Sequence, residues 1–320
     1  MDPLTALYVA AALVTIGTPL YFLIRRARRQ REKADTATDA VKQAVEEATR
    51  PLKTELERIS EYIDGLTGEL FDKAYALYRE YKYPQAIEAF QACFHPATTT
   101  SERTALHILI GNCFLSLSEL EEAEGHYREA ETAARQAKDN EGLAAALGNI
   151  GIIYRIKGEL DKALEIFEQV LKTERKIGRR WGEANALGSI GLVYQTKGEL
   201  DKALDYYQQS LKINREIGRK EGEASVMGNI GIVYSIKGEL DKALDYHQQS
   251  LKINREIGRK EGEAYQLNNI GGIYWAKGEP DRALEYAQQA LKIFEEIGAK
   301  IEIVETKANI QMAKARKEQK

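Results

Sequence analysis

The sequence predicts an all-α fold, a stack of helical hairpins preceded by one membrane-spanning helix, and three observations predict it. A Lys-Gly-Glu motif recurs at Lys157, Lys197, Lys237 and Lys277, a constant step of 40 residues. On either side of each motif, apolar residues fall at the three- and four-residue spacings of an amphipathic helix. Ahead of these repeats, the stretch from Leu4 to Ile24 carries no charged residue.

That first stretch reads LTALYVAAALVTIGTPLYFLI and, as a helix rising about 1.5 Å per residue, would span roughly 30 Å, the thickness of a bilayer core. Gly17 and Pro19 would break a short soluble helix but are tolerated in a membrane helix, where Tyr8 and Tyr21 suit the two interfaces. Arg25, Arg26, Arg28, Arg29, Arg31 and Lys33 follow at once, while only Asp2 precedes. The positive-inside rule then places residues 1–3 outside, 4–24 in a cell membrane and the long C-terminal part in the cytoplasm. A cleaved signal peptide would need its positive charge on the other side.

Residues 25–65 form a basic juxtamembrane segment and a linker. From the linker onward Val41, Val45, Ala48, Leu52, Leu56, Ile59, Ile63, Leu66 and Leu70 make an apolar helical stripe, kinked at Pro51. Two readings stay open for it, a weak dimer through a short coiled coil or a stalk packed on the first repeat.

The repeats define the rest. Lys197 to Ala224 and Lys237 to Ala264 differ only at Tyr207 against His247, so the two segments must fold alike. In the unit before them Leu147, Ile150, Gly151 and Tyr154 share one face of a first helix, and Leu160, Ala163, Leu164, Phe167 and Leu171 share one face of a second. Gly158 suits the left-handed position that ends the first helix, Asp161 is placed to cap the second, and Gly178 to end it. A hairpin with one greasy side cannot bury it alone, so neighbours stack. Residues 66–298 are expected to hold six hairpins, the first two degenerate, and residues 299–320 a polar cap that keeps Ile303 and Ile310 for packing.

The pattern Gly151, Tyr154, Ala163, Phe167 recurs as Gly191, Tyr194, Ala203, Tyr207; as Gly231, Tyr234, Ala243, His247; and as Gly271, Tyr274, Ala283, Ala287. Looser copies stand at Gly111, Phe114, Ala123, Tyr127 and at Ala74, Leu77, Ala86, Phe90. This resembles the tetratricopeptide repeat, and the long 40-residue period is similar to the subclass of Pins/LGN-type adaptors and kinesin light chains. The resemblance implies a right-handed α-solenoid whose first helices line a concave groove. Carried onto this sequence, the groove residues are Asn149, Arg155, Asn185, Gln195, Asn229, Ser235, Tyr265, Asn268, Asn269 and Trp275. Asn amides donate and accept and can pair with the main chain of a bound peptide, while Tyr265 and Trp275 would act as apolar anchors. The alternative for each Asn is a satisfied surface amide, and for Trp275 packing against the terminal unit. The family's chaperone-tail readers use cationic clamps where this chain holds mostly Gly, Asn and Ser, so that ligand is not expected.

With 46 basic and 49 acidic residues the net charge is -3, which argues against nucleic acid as a partner. The sequence has no phosphate loop, no His-Glu-x-x-His pair and no nucleophile elbow, so neither an enzyme nor a cofactor is expected. The four histidines show no metal-ligand spacing, and His247 stands where sister units hold an aromatic ring. Cys93 and Cys113 read as small buried groups in a reducing compartment. The expected function is a membrane-anchored scaffold holding cytosolic proteins or peptides in its groove; the alternative is a peptide-responsive sensor that signals by rearranging the solenoid.

Overall fold

The computed structural model describes residues 68–95 and 98–318, and every regular element among them is helical. The expected membrane span, basic segment and linker lie outside the described residues. Among the described residues no helix is long and apolar enough to cross a membrane. In chain order the helices are α1 (68–79), α2 (Tyr83–Ala92), α3 (Thr100–Ser116), α4 (Leu120–Ala137), α5 (Asn140–Ile156), α6 (Leu160–Ile177) and α7 (Arg180–Thr196). There follow α8 (Leu200–Glu216), α9 (Lys220–Ile236), α10 (Leu240–Glu256), α11 (Lys260–Ala276), α12 (Pro280–Ile297) and α13 (Lys300–Glu318). They divide into two compact units, one up to His126 and one from Tyr127.

In the first unit Ala74, Ala86, Ile87, Phe90, Cys93, Leu106, Ile110 and Cys113 form the core. Both cysteines are buried free thiols, and burial pushes the Cys113 thiol up to about 11. Thr99 opens α3 with a reciprocal capping box: its hydroxyl accepts from the Glu102 amide at 3.2 Å and its own amide donates to the Glu102 carboxylate at 2.6 Å. The turns of these degenerate repeats place Tyr81 (φ 60°) and Ser118 (φ 63°) in the left-handed region that the later repeats give to glycine.

The second unit is a series of hairpins, α5/α6, α7/α8, α9/α10 and α11/α12, with α13 packed on α12. Each hairpin turns through the same device. After α5, Gly158 takes φ 76°, its amide donates to the Arg155 carbonyl at 3.1 Å, and the Glu159 amide reaches back to the Tyr154 carbonyl at 2.8 Å. This pair of hydrogen bonds closes the helix end and reverses the chain.

Asp161 does not cap α6, contrary to the sequence expectation. The N-cap is Glu159, without a side-chain cap bond, and Asp161 lies inside the first turn. There its carboxylate accepts from Lys197 of the next hairpin at 2.7 Å, and the contact recurs as Lys237–Asp201 and Lys277–Asp241, each at 2.5 Å. The residue serves the joint between repeats, with the helix dipole still favouring its charge.

Within a hairpin the first helix approaches the second at a glycine. A methyl group at Gly151 would stand 2.7 Å from the Phe167 ring, and at Gly191 and Gly231 it would stand 2.8 Å from Tyr207 and His247. In the last hairpin Ala287 replaces the ring, and the nearest atom to such a methyl is a carbonyl at 3.3 Å. Beside these contacts, Tyr194 stacks on Tyr206, Tyr234 on Tyr246 and Tyr274 on Tyr286, with centroids 5.4 to 5.6 Å apart.

The last helix of the stack among the described residues is α13. Ile310 is buried and Ile303 packs on the last core cluster, as the sequence predicts. Where α11 offers Leu267, Gly271 and Tyr274 to its partner helix, α13 holds Lys307, Gln311 and Lys314. Those polar side chains oppose the docking of another hairpin on that face.

Candidate functional site: the faces of the first helices

The first helices α7 and α9 touch, as do α9 and α11, so residues at equal register line up from one hairpin to the next. Helices in contact lie about 8–10 Å apart, close to three residues of extended chain at about 3.3 Å each. Asn229 and Asn269 stand at such equal register, and Asn149 occupies the same register on α5. All three are half-buried, and no hydrogen bond engages their side chains among the described residues.

One residue before Asn149 and Asn229 stands a glycine, Gly148 and Gly228. A methyl group at Gly148 would meet nothing within 4 Å, and at Gly272, also on a first helix, nothing either. Glycine inside a helix is about 1 kcal/mol worse than alanine. Gly228 differs, since there the Gln266 side chain closes to 3.0 Å.

The structure commits several other predicted groove residues to internal contacts. Asn185 accepts from Arg219 at 2.6 Å, and Gln195 accepts from the Tyr207 hydroxyl at 2.8 Å. Ser235 donates back to the Gly231 carbonyl of its own helix at 3.1 Å. Asn268 accepts from Asn309 at 3.3 Å and Tyr265 donates to Glu302 at 2.6 Å, both tying α11 to α13. Burial and then Glu302 hold the Tyr265 phenol above its usual value. Arg155 is half-buried on α5, and Trp275 packs half-buried on the last core cluster.

Sequence reasoning missed the buried polar positions behind this face. Glu174, Asn214 and Asn254 occupy one repeat position, almost fully buried, against Gly182, Gly222 and Gly262 of the following helix. Glu174 binds the Arg179 guanidinium, with Nε to carboxylate at 2.7 Å. Asn214 and Asn254 donate to the Ser210 and Ser250 carbonyls at 3.0 and 2.9 Å. The replacement of Glu174 by Asn214 and Asn254, each eight residues ahead of a glycine, is the signal that the sequence carries. His107 and His126, 19 residues apart, also meet with Nδ1 atoms 3.0 Å from one another. Among the described residues no group of three or more His, Cys, Asp or Glu side chains is placed to hold a metal ion.

The tetratricopeptide repeat profile matches residues 101–176, 182–256 and 223–296, more than half of the chain. The chain belongs to the tetratricopeptide repeat family. A comparison with curated protein sequences returns no match. Among solved structures this tetratricopeptide chain is similar to a signal transduction ATPase with numerous domains and a tetratricopeptide repeat sensor from Pyrococcus horikoshii. The TM-score is 0.61 at 17% identity, over 96% of this chain and 51% of that one. It is similar to a Rap protein complexed with competence and sporulation factor, with TM-score 0.58 and 12% identity over 98% of both chains. It is also similar to the Rap conjugation gene regulator of plasmid pLS20 in complex with the Phr* peptide, with TM-score 0.56 and 16% identity over 78% of this chain and 73% of that one. At these identities the likeness shows the tetratricopeptide fold.

Proposed function

We propose that this tetratricopeptide chain is a binding module that holds an extended stretch of a partner protein or peptide along the faces of α5, α7, α9 and α11. The observation that carries the reading is the set of half-buried amides Asn149, Asn229 and Asn269, which no hydrogen bond engages among the described residues. Burying an amide without a partner costs about 1–3 kcal/mol, so side chains held in this way favour a ligand with main-chain groups to pair. The open helix surface at Gly148 supports close approach of a backbone. The regulator of plasmid pLS20, similar in fold, is solved with a peptide.

The module acts as a scaffold tethered to a cell membrane through Leu4 to Ile24, with the repeats on the cytoplasmic side, a reading supported by the charge asymmetry around that span. A second reading, a sensor that changes curvature when peptide binds, is favoured by the joints between hairpins. Lys197–Asp161 and its two counterparts are ion pairs with carboxylates about nine-tenths exposed, and such pairs contribute roughly 0–1 kcal/mol, so small rotations of one hairpin on the next cost little.

The test places a photoreactive amino acid at Asn229, or at Gln248 on the exposed side of α10, in the full chain in membranes. Discrete crosslinked partners from position 229 and none from 248 are expected; equal yields from both would overturn the groove. Release of the full chain by alkaline carbonate would overturn the tether. Scattering dimensions that shift on partner binding would select the sensor over the rigid scaffold.

A further inference from the structure

At two joints between hairpins an arginine at the start of a first helix reaches back to a glutamate of the preceding first helix. Arg179 donates to Glu141 at 3.0 Å, and Arg259 lies 3.7 Å from Glu221, a step of 38 residues in both cases. At the joint between them the series breaks. Arg219 looks back over the same step at Trp181, where a glutamate would complete the pattern. Its guanidinium carbon stands 5.9 Å from the centre of the indole ring. One Nη donates to Asn185 at 2.6 Å, and Arg219 forms no ion pair among the described residues.

Trp181 is unusual in the same way. It is 46% exposed in the first turn of α7, with the Arg179 guanidinium carbon also 4.5 Å from its ring centre. Trp181 and Asn185 are four residues apart and lie on one helix face with Ser189 and Leu192, so they open onto the same face that carries the unpartnered amides. A cation, an exposed aromatic ring and an amide therefore converge at the edge of the groove. The two sister joints show what the place accommodates, since each fills it with a carboxylate from the chain itself. An arginine fork is suited to a planar carboxylate, and an indole beside it lowers the local dielectric and strengthens the pair.

We propose that Arg219, Trp181 and Asn185 form a subsite for the side-chain carboxylate of an aspartate or glutamate in the peptide that lies along the first helices. The ligand supplies the carboxylate that this one joint lacks. The proposal rests on the groove reading and fixes the chemistry of one residue of the occupant.

The test screens an immobilised library of octapeptides, acetylated and amidated so that no terminal charge is present and randomised at every position, with the full chain in detergent. Wild type is compared with Trp181→Glu, Arg219→Gln and the pair Asn229→Leu/Asn269→Leu. Trp181→Glu restores the sister residue and keeps the fold, which a melting curve checks. Retained peptides should be enriched about tenfold in Asp or Glu at one position with wild type, and the enrichment should vanish in Trp181→Glu and Arg219→Gln. Asn-dependent retention without an acidic preference would overturn the subsite and leave the groove standing, as would an acidic preference that survives both single variants. Retention that ignores the paired Asn change, or no retention at all, would overturn the groove and the subsite together.

Discussion

The pair His247 and Gln266 offers a test of how two almost identical repeats are told apart. His247 is buried against Gly231, and its Nδ1 is 2.7 Å from the Gln266 amide oxygen on the following first helix. One repeat earlier the places of His247 and Gln266 hold Tyr207 and Val226, and the Tyr207 hydroxyl donates to Gln195 within its own hairpin. Where Gln195 would stand, the later repeat has Ser235, bonded to its own helix. Each repeat has thus solved the same buried polar problem with a different matched set.

Gln266→Val alone leaves a buried ring nitrogen without a partner, at about 1–3 kcal/mol, and His247→Tyr alone leaves a buried amide, at about the same cost. The double variant removes both orphans and recreates the earlier repeat, apart from one phenol that Ser235→Gln then satisfies. A double-mutant cycle from urea unfolding should show coupling of about 2 kcal/mol or more, with Ser235→Gln recovering most of what remains. Burial pushes the His247 imidazole below its ordinary value of 6.5, only partly offset by the bond to Gln266. The sign follows. Well above pH 6.5 the ring is neutral in both states and stability is unaffected. As pH falls below that value the unfolded chain takes up a proton that the folded chain refuses, and stability drops by up to about 1.4 kcal/mol per pH unit until the folded value is passed. The double variant should lose this acid sensitivity. Additivity within about 0.5 kcal/mol, or an unchanged pH profile in the double variant, would refute the pairing.

Two glycines three residues apart on α5 should respond with opposite signs. Gly151→Ala drives a methyl into the Phe167 ring and should destabilise by about 1–3 kcal/mol, whereas Gly148→Ala meets nothing and should stabilise by nearly 1 kcal/mol in thermal unfolding. The same Gly148→Ala chain should retain octapeptides less well, because the methyl takes space that the groove reading gives to the ligand. Arg179→Ala leaves the Glu174 carboxylate, 4% exposed, without its partner and should cost about 3–5 kcal/mol in urea unfolding. Glu174→Asn in that background installs the residue found in the next two repeats and should recover most of the loss.

How much of this was legible in the sequence varies with the range of the interaction. Gly158 was readable because the left-handed turn is a property of one residue and its two neighbours, and Gly151 because a 40-residue step repeats it opposite a ring. Asp161 misled because the position beside a helix start looks alike whether a side chain caps its own helix or meets Lys197 from the next hairpin. The ten groove residues divided for a related reason. Register on a helix puts a side chain on a face, but Asn185, Gln195, Tyr265 and Asn268 were claimed by Arg219, Tyr207, Glu302 and Asn309, each from another helix.

The sequence by itself determined that the chain is built of helical hairpins at a fixed period, because hydrophobic spacing, turn glycines and near-identical copies are local properties of the chain. Only the tertiary structure decided which polar groups on those hairpins are already satisfied. Asn149, Asn229 and Asn269 are told from Asn185 and Asn268, and Arg219 from Arg179 and Arg259, by partners 34 to 41 residues away in sequence, brought within reach by stacking alone.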